Sequence, residues 1–92
     1  MVNQLRLMGF SVAITSRVGN DFPDLVIGKM GHTGLVEAKS DKKIHHRARG
    51  GLSMGQIEFK AAWRGAPVIV STNAMEVAAL FNERLRHIGV MR

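Results

Sequence analysis

Apolar residues along this chain follow helical spacing in some stretches and form short runs in others. Turn residues, above all glycine and proline, separate these stretches and therefore predict a series of distinct elements. In chain order they are helix 1–8, strands 10–15, 24–30 and 35–39, helix 53–64, strand 67–71 and a helix from 73 to about 88.

Capping residues mark where the predicted helices begin and end. Gly9 is suited to follow the first helix, because glycine readily adopts the left-handed conformation found there. Ser53 and Gln56 have the spacing of a capping box at the start of the second helix, and Asn73 and Glu76 repeat it at the third. The starts of the later two helices are therefore encoded locally.

The order of the elements predicts how the strands pair. The turn-rich segment 31–34 joins the second and third strands into a hairpin. The apolar run 68–70 is typical of a strand buried on both faces, and the helix before it permits a parallel, right-handed connection. The stripe on the last helix consists of Val77, Leu80, Phe81, Leu85 and Ile88. We therefore expect an α/β sandwich around a small mixed sheet.

Length and composition limit the classes of protein to which the chain can belong. Its 92 residues suffice for a single domain, which we place at 1–92. The chain has no cysteine, which excludes disulfides, thiolate zinc sites and a cysteine nucleophile, and its apolar runs are too short to span a membrane. We find no signal peptide and expect a cytoplasmic protein. The net charge of +6 favours nucleic acid as a partner.

Much of the positive charge lies between the third strand and the second helix. Residues 40–52 have no apolar period and are rich in Lys, Arg and His, which favours phosphate contact over a merely solvated loop. The cations expected to bind DNA are Lys42, Lys43, Arg47 and Arg49. His45 and His46 lie among them, with no Asn or second His at a suitable spacing, and this favours a DNA-facing loop over a metal site.

Three residues of the hairpin carry the candidate chemistry. Glu37 and Lys39 flank Ala38 on the third strand, so their side chains point to one face of the sheet. Asp24 follows Pro23 at the start of the adjacent strand, where pairing can bring its carboxylate beside that of Glu37. Neighbouring carboxylates raise each other's pKa unless a cation lies between them, and Mg²⁺ is a hard ion that takes one or two carboxylates. We therefore expect a Mg²⁺ site in which Lys39 orients the attacking water and offsets developing charge.

The same residues also have structural interpretations. Asp24 can form a turn after proline, and Glu37 and Lys39 can form a solvated pair on an exposed sheet face. Gln56 can serve only as the partner of the helix cap, although both roles can coexist. Asp21 is expected to be a loop residue rather than an acid that supports the site.

The motifs between residues 18 and 56 together resemble a known nuclease family. Pro23-Asp24 followed by Glu37-Ala38-Lys39 resembles the PD-(D/E)xK nuclease signature. The wider pattern is similar to the virus-type replication-repair nuclease (VRR-Nuc) domain, with its Gly-rich approach, Pro-Asp-Leu, Val-Glu-x-Lys, basic loop and Leu-Ser-x-x-Gln. These motifs occupy 18–25, 36–39, the basic loop and 52–56, and the resemblance covers roughly residues 9 to 73.

This resemblance implies a restriction-endonuclease-like αβββαβα fold and a role for each site residue. The implied roles are Asp24 and Glu37 as metal ligands, the backbone carbonyl of Ala38 as a further ligand, Lys39 as the catalytic lysine and Gln56 as an accessory active-site residue. The cofactor would be Mg²⁺, with Mn²⁺ able to replace it. Many relatives place a glutamate on the first helix, where this chain has Gln4 as the nearest polar substitute. Either the site holds a single metal well, or the natural first helix is longer.

The resemblance also implies a DNA substrate. Small stand-alone relatives resemble Holliday-junction resolvases, so we expect a homodimer that presents two sites to the strands of branched DNA. The dimer surface would come from the Trp63 region or from the last helix. On that helix, the candidates for the dimer surface are Met75, Leu80, Phe81, Ile88 and Met91. A nuclease that acts on flaps or on one sequence, and a non-catalytic basic DNA-binding module, are the alternatives.

Aromatic residues are few, which bears on how DNA could be bound. The chain has four Phe, one Trp and no Tyr, so base stacking is not expected to be the main mode of binding. Trp63 is expected to pack in the core or at an interface rather than against a base. His32 and His87 are expected at the surface.

Overall fold

A computed structural model of the chain describes residues 1–40 and 51–91. Within these ranges the elements follow the predicted order. They are helix α1 (Val2–Leu7), strands β1 (Ser11–Ile14), β2 (Leu25–Lys29) and β3 (His32–Ala38), helix α2 (Met54–Ala62), strand β4 (Ile69–Ser71) and helix α3 (Ala74–His87). The residues predicted to line the basic loop, namely Lys42, Lys43, His45, His46, Arg47 and Arg49, lie outside the described ranges.

The four strands form one mixed sheet in the order β1-β2-β3-β4. The first three strands are antiparallel neighbours, and β4 lies parallel to β3 after the crossover through α2. The predicted α/β class and mixed sheet are confirmed, and the parallel pairing of the last strand is the one that a crossover helix allows.

The hairpin between β2 and β3 turns earlier than predicted. Lys29 pairs with His32, so the turn consists of Met30 and Gly31, and β3 begins three residues before the predicted start at Leu35. Both turn residues have positive φ, at 53° and 79°, as two-residue hairpin turns of the favoured type require. Segment 31–34 is therefore mostly strand, and the longer ladder sets the register that carries Glu37.

One face of the sheet is covered by α1 and α3, and the hydrophobic core lies between them and the strands. Its buried residues are Leu5, Phe10, Leu25, Ile27, Val36, Ile69, Ala74, Val77, Ala78, Phe81 and Leu85. Phe81 makes an edge-to-face contact with Phe10, with ring centroids 5.3 Å apart. This packing places the side chains that alternate with Ile27 and Val36 on the opposite face of the sheet.

The stripe predicted on the last helix is only partly buried. Val77, Phe81 and Leu85 are buried, whereas Leu80 is 41% exposed and Ile88 is 57% exposed. Leu80 lies at the edge of the stripe, and Ile88 is the C-cap residue beyond the last helical turn. The burial of Phe81 removes it from the predicted dimer surface, while the exposure of Leu80 and Ile88, and of Met75, is compatible with that surface.

Helix α2 lies on the opposite face of the sheet, over β3 and β4. Glu37 pairs with Val70 across these strands, and both residues line the cleft that α2 closes. None of the residues of α2 is buried, so polar and aromatic contacts hold the helix rather than a core of its own. Trp63 ends the helix and is 41% exposed, so it does not lie in the core, and packing at an interface stays a prediction.

Among the described residues, no helix has the length and apolar character needed to cross a membrane.

Candidate active site

The ends of β2 and β3 bring Asp24 and Ala38 together. Asp24 directly precedes β2, and its Oδ2 accepts a hydrogen bond from the Ala38 backbone N–H at 3.0 Å. The backbone of Asp24 is also held, because its carbonyl accepts from the Thr15 N–H at 2.7 Å. The carboxylate predicted to be a metal ligand is therefore fixed against the strand that carries the other predicted ligands.

The loop before Asp24 turns sharply and is then anchored by Pro23. Gly19, Asn20 and Asp21 have successive positive φ values of 83°, 54° and 61°, a conformation that glycine, asparagine and aspartate tolerate best. Pro23 follows as a fully buried side chain, and its carbonyl accepts from the Thr15 hydroxyl at 2.8 Å. The turn and the anchored proline together aim Asp24 at β3.

Glu37, Lys39 and Gln56 form a single polar network. The Gln56 amide nitrogen donates to Glu37 Oε1 at 3.1 Å, and its oxygen accepts from Lys39 Nζ at 2.9 Å. Lys39 Nζ also lies 3.7 Å from Glu37 Oε1, and the two side chains are only 9% and 4% exposed. The interpretation of Glu37 and Lys39 as a solvated surface pair is therefore wrong. The network brings together three of the four side chains that the sequence predicts for the site.

The capping box at the start of α2 places Gln56 in this network. The Ser53 hydroxyl accepts from the Gln56 N–H at 3.2 Å, and the Gln56 side-chain oxygen accepts from the Ser53 N–H at 2.9 Å. Because the same oxygen also accepts a hydrogen bond from Lys39 Nζ, one amide group serves both the helix cap and the polar network. The capping role of Gln56 is therefore confirmed, and the same side chain also contacts Lys39 and Glu37, the residues predicted for the site.

The pKa of Glu37 reflects its surroundings. This pKa is raised from 4.5 to about 7, most strongly by burial and then by the hydrogen bond and like charge of the adjacent Asp24 carboxyl. Lys39 acts in the opposite direction without offsetting these effects. The carboxyl groups of Asp24 and Glu37 are thus close enough to interact, as the hairpin register predicted.

The donor chemistry of this pair fits a hard divalent cation. No group of three or more His, Asp or Glu side chains is placed to hold a metal ion in residues 1–40 and 51–91. Mg²⁺, however, is commonly bound by one or two carboxylates and keeps several waters. An ion between the two carboxyl groups would offset the like charge of Asp24, which adds to the effect of burial in raising the pKa of Glu37.

A narrow cleft of about 10 Å³, enough for one water molecule, opens beside the network and includes residues that the motifs did not indicate. Its lining consists of Asp21, Pro23, Glu37, Leu52, Gln56, Phe59, Lys60, Val68 and Val70. Lys60 follows Gln56 by four residues on α2, so helical spacing could have indicated that they share a face. Asp21 reaches the cleft only because its loop folds onto α2, and no spacing in the sequence reveals that.

Close packing joins the Asp21 loop to the start of α2. A Cβ at Gly55 would lie 2.1 Å from the carboxylate oxygen Oδ2 of Asp21, so no larger residue fits while Asp21 keeps its position. Asp21 is exposed on its other side. It is therefore both a loop residue, as predicted, and part of the wall of the cleft.

Comparison of the chain with protein-family models, curated proteins and solved structures yields no match.

Proposed function

We propose that this chain is a metal-dependent endonuclease of the VRR-Nuc type that hydrolyses phosphodiester bonds in DNA. The observation that carries the proposal is the convergence of Asp24, Glu37, Lys39 and Gln56 beside one cleft. Acids and a lysine with these neighbours are suited to phosphodiester hydrolysis, and the positive charge of the chain is suited to a polyanionic substrate. A restriction-endonuclease-like arrangement of the sheet and helices belongs to the same proposal.

Asp24 and Glu37 would hold a Mg²⁺ ion, with the backbone carbonyl of Ala38 as a further ligand and Mn²⁺ as a substitute. The ion would supply a polarised phosphate and a more acidic water. The contribution of the protein residues is to hold the two carboxyl groups in place. Asp24 is held by the Ala38 N–H and Glu37 by the Gln56 amide, so both carboxyl groups are positioned at the same end of the hairpin.

Lys39 would act on the phosphate and on the attacking water. Its ammonium group is held between Gln56 Oε1 and Glu37 Oε1, which limits it to a small region beside the carboxylates. A cation held there offsets negative charge that develops on the phosphate oxygens, and it orients a water through its remaining N–H groups. Gln56 is then a positioning residue, because it touches both Lys39 and Glu37 rather than the substrate.

The substrate that we propose is branched DNA bound by a homodimer. The cations Lys42, Lys43, Arg47 and Arg49 follow Lys39 in the sequence and would contact phosphates of the same strand. Leu80 and Ile88 provide exposed apolar area on α3 that a second copy could cover. Light scattering should then show a dimer at tens of micromolar protein, and a monomer would contradict this part of the proposal.

The test of the proposed activity is cleavage of a panel of linear duplex, flap and four-way-junction DNAs in Mn²⁺ or Mg²⁺. We expect the wild type to cut the branched forms. Removing one essential catalytic group commonly lowers rates by a factor of about 100 or more, and we expect this of Asp24→Ala and Lys39→Ala. Leu7→Ala, at a residue of α1 that is 89% exposed, is the control for a surface substitution.

Several outcomes of that panel would overturn the proposal or narrow it. Cleavage that survives Lys39→Ala, or that persists in EDTA, would contradict it. Binding of DNA without cleavage of any form would favour a non-catalytic DNA-binding module, in which the buried pair of Glu37 and Lys39 is purely structural. Preference for flaps, or for one sequence regardless of branching, would retain the nuclease and replace its substrate.

A further inference from the structure

Three aromatic rings form a continuous row from the wall of the cleft to the surface. Phe22 and Phe59 meet edge to face with centroids 5.6 Å apart, and Phe59 stacks on Trp63 at 5.4 Å with an interplanar angle of 15°. Phe59 lines the cleft beside Glu37, whereas Trp63 is 41% exposed. The row therefore connects the candidate active site to an exposed indole.

Two neighbours limit the position of the Trp63 indole. Phe59 stacks on the indole, and the Phe59 carbonyl accepts the Trp63 N–H at 3.0 Å at the end of α2. Gly65 lies beside the Nε1 edge of the indole, where an added Cβ would be 2.6 Å from Nε1, so no side chain fits between them. An aromatic ring that is held in this way presents its exposed surface without losing much further conformational freedom on binding.

The charges next to the indole are suited to a nucleic acid strand. Lys60 lines the cleft with Phe59, and Arg64 follows Trp63 directly; both cations are exposed. A strand that passes over the cleft would thus meet two cations for its phosphates beside one flat ring for its bases. This combination of a basic track with an aromatic ring is the general arrangement by which proteins bind unpaired nucleotides.

We propose that Trp63 is a stacking site for an unpaired nucleobase on the strand that passes over the cleft. The inference rests on the proposed nuclease function and specifies its substrate as DNA with unpaired nucleotides next to the bond that is cut. Bases inside a duplex present their faces to one another, so away from the duplex ends only an unpaired base can stack on the indole, and the duplex probe is therefore a closed circle. The scarcity of aromatic residues does not oppose this, because a single ring suffices to distinguish paired from unpaired DNA at one position.

Intrinsic fluorescence reports on this site alone, because the chain has one Trp and no Tyr. The experiment uses the Asp24→Ala variant in EDTA, so that cleavage cannot occur, and titrates it with three probes: an oligothymidylate, an abasic oligomer of the same length, and a closed circular duplex. We expect the oligothymidylate to quench Trp63 emission at least twofold more than either of the others at saturation. Anisotropy of labelled DNA shows that each probe is bound.

Two results of the titration would overturn the proposal. Equal quenching by the abasic oligomer would mean that the phosphates alone affect the indole. Emission that changes with protein concentration in the absence of DNA, and no longer responds to the oligothymidylate, would mean that a second copy of the chain covers Trp63.

Substitution of the ring provides an independent measurement. Trp63→Leu keeps an apolar contact with Phe59 but removes the stacking surface, and Trp63→Phe keeps a smaller ring. Base stacking on an aromatic residue is worth about 1 to 3 kcal/mol, so we expect Trp63→Leu to weaken binding of the oligothymidylate about 5- to 150-fold. Binding of the duplex should change less than about twofold, and Trp63→Phe should fall between. Equal losses for both DNAs would refute the proposal, provided that circular dichroism shows the variants folded.

Failure of this inference and failure of the proposed function give different results. If the wild type cuts DNA, but its Trp63 emission is not quenched and it does not distinguish unpaired from paired bases, it is a nuclease without the stacking site. A protein that stacks on thymidylate yet cuts nothing in Mn²⁺ is a single-strand-binding module without the nuclease activity.

Discussion

At the scale of single residues, Glu37 is the carboxyl group whose charged form is disfavoured by its position in the fold. Its side chain is 4% exposed, and burial and Asp24 raise its pKa to about 7. The folded protein therefore holds the proton of this carboxyl more tightly than the unfolded chain, whose pKa is the ordinary 4.5. The favourable contribution of that proton is complete below pH 4.5 and is lost as the pH rises through about 7.

Replacing Glu37 by Gln should remove this loss. In EDTA, we expect the free energy of unfolding of Glu37→Gln to match that of the wild type near pH 4 and to exceed it near pH 8. The rise in the pKa of Glu37 from 4.5 to about 7 corresponds to a difference in the free energy of unfolding on the order of 3 kcal/mol. Urea unfolding at a series of pH values measures the difference.

An exposed carboxylate supplies the control for the Glu37 experiment. Glu83→Gln removes the same charge from the surface of α3, and we expect it to change stability by less than about 0.5 kcal/mol at each pH. Parallel stability curves for the wild type and Glu37→Gln between pH 4 and pH 8 would contradict the assigned environment of Glu37.

Gly55 is a second residue whose identity depends on a neighbour distant in sequence. In a helix, alanine is favoured over glycine by roughly 1 kcal/mol, so Gly55→Ala would stabilise α2 if nothing opposed it. The carboxylate of Asp21 opposes it, because the new Cβ would lie 2.1 Å from Oδ2. The sign of the effect is therefore set by Asp21.

A double-mutant cycle tests this dependence. We expect Gly55→Ala to be neutral or to destabilise the wild type by less than about 1 kcal/mol, because the exposed Asp21 side chain must turn away and its departure offsets the gain in helix propensity. In the background of Asp21→Gly, which suits the φ of 61°, the same substitution should instead be stabilising by up to about 1 kcal/mol. Urea unfolding of the four proteins gives the coupling, and additive effects would mean that the Asp21 carboxylate does not pack on Gly55.

At the scale of elements, α2 has the weakest attachment to the fold. None of its residues is buried, and its contacts with the sheet include the Gln56 amide and the ring of Phe59. Helix α3, in contrast, buries five residues in the core. The orientation of α2 therefore depends on the same capping box that orients Gln56 toward Lys39.

Removing equivalent caps from the two helices should separate stability from activity. Ser53→Ala deletes the hydroxyl that accepts the Gln56 N–H, and Asn73→Ala deletes the side-chain oxygen that accepts the Glu76 N–H at 2.8 Å. Both should lower the free energy of unfolding by about 1 kcal/mol. Only Ser53→Ala should also lower cleavage of the preferred DNA, because only that cap holds Gln56.

The cap experiment is measured by urea unfolding and by cleavage rate under conditions where both variants remain folded. The matched variant Asn73→Ala reports what loss of stability alone does to the rate. Equal rates for the two variants would show that the cap of α2 does not position the site.

At the scale of the whole molecule, α3 packs closely against the sheet at Gly34, which has less space around it than the other strand glycine, Gly28. Gly34 is buried under Phe81, and a Cβ at this position would lie 3.0 Å from the phenylalanine ring. Gly28 lies in β2 on the other face, where a Cβ would have only ordinary contacts at 3.7 Å and beyond. The two glycines therefore differ in what surrounds them rather than in backbone conformation.

Substitution of each glycine by alanine should reveal that difference. Gly34→Ala forces Phe81 away from the sheet, and we expect it to lower the free energy of unfolding by about 1 to 3 kcal/mol. Gly28→Ala should be neutral or slightly stabilising, because alanine reduces the freedom of the unfolded chain. Thermal or urea unfolding distinguishes them, and equal effects would contradict the close approach of α3 to Gly34.

The identity and order of the elements followed from short stretches of sequence, because apolar spacing, capping residues and turn residues act locally. Ser53 and Gln56 predicted the start of α2, and Asp24, Glu37 and Lys39 could be assigned to one hairpin because strand side chains alternate. The start of β3 was predicted three residues late, since the positive φ of a non-glycine residue, Met30, has no clear signal in the sequence.

The remaining features depend on contacts between segments far apart in the chain, which no local pattern encodes. The sheet faces and the crossover decide that α2 lies over Glu37, and this placement turns a cap residue, Gln56, into a link to Lys39. It also leaves Trp63 exposed at the end of an aromatic row, and brings Asp21 against Gly55. Residue types and their spacing thus indicated the chemistry, whereas burial and neighbours, which exist only in the folded chain, determined the charge state of Glu37 and the shape of the cleft.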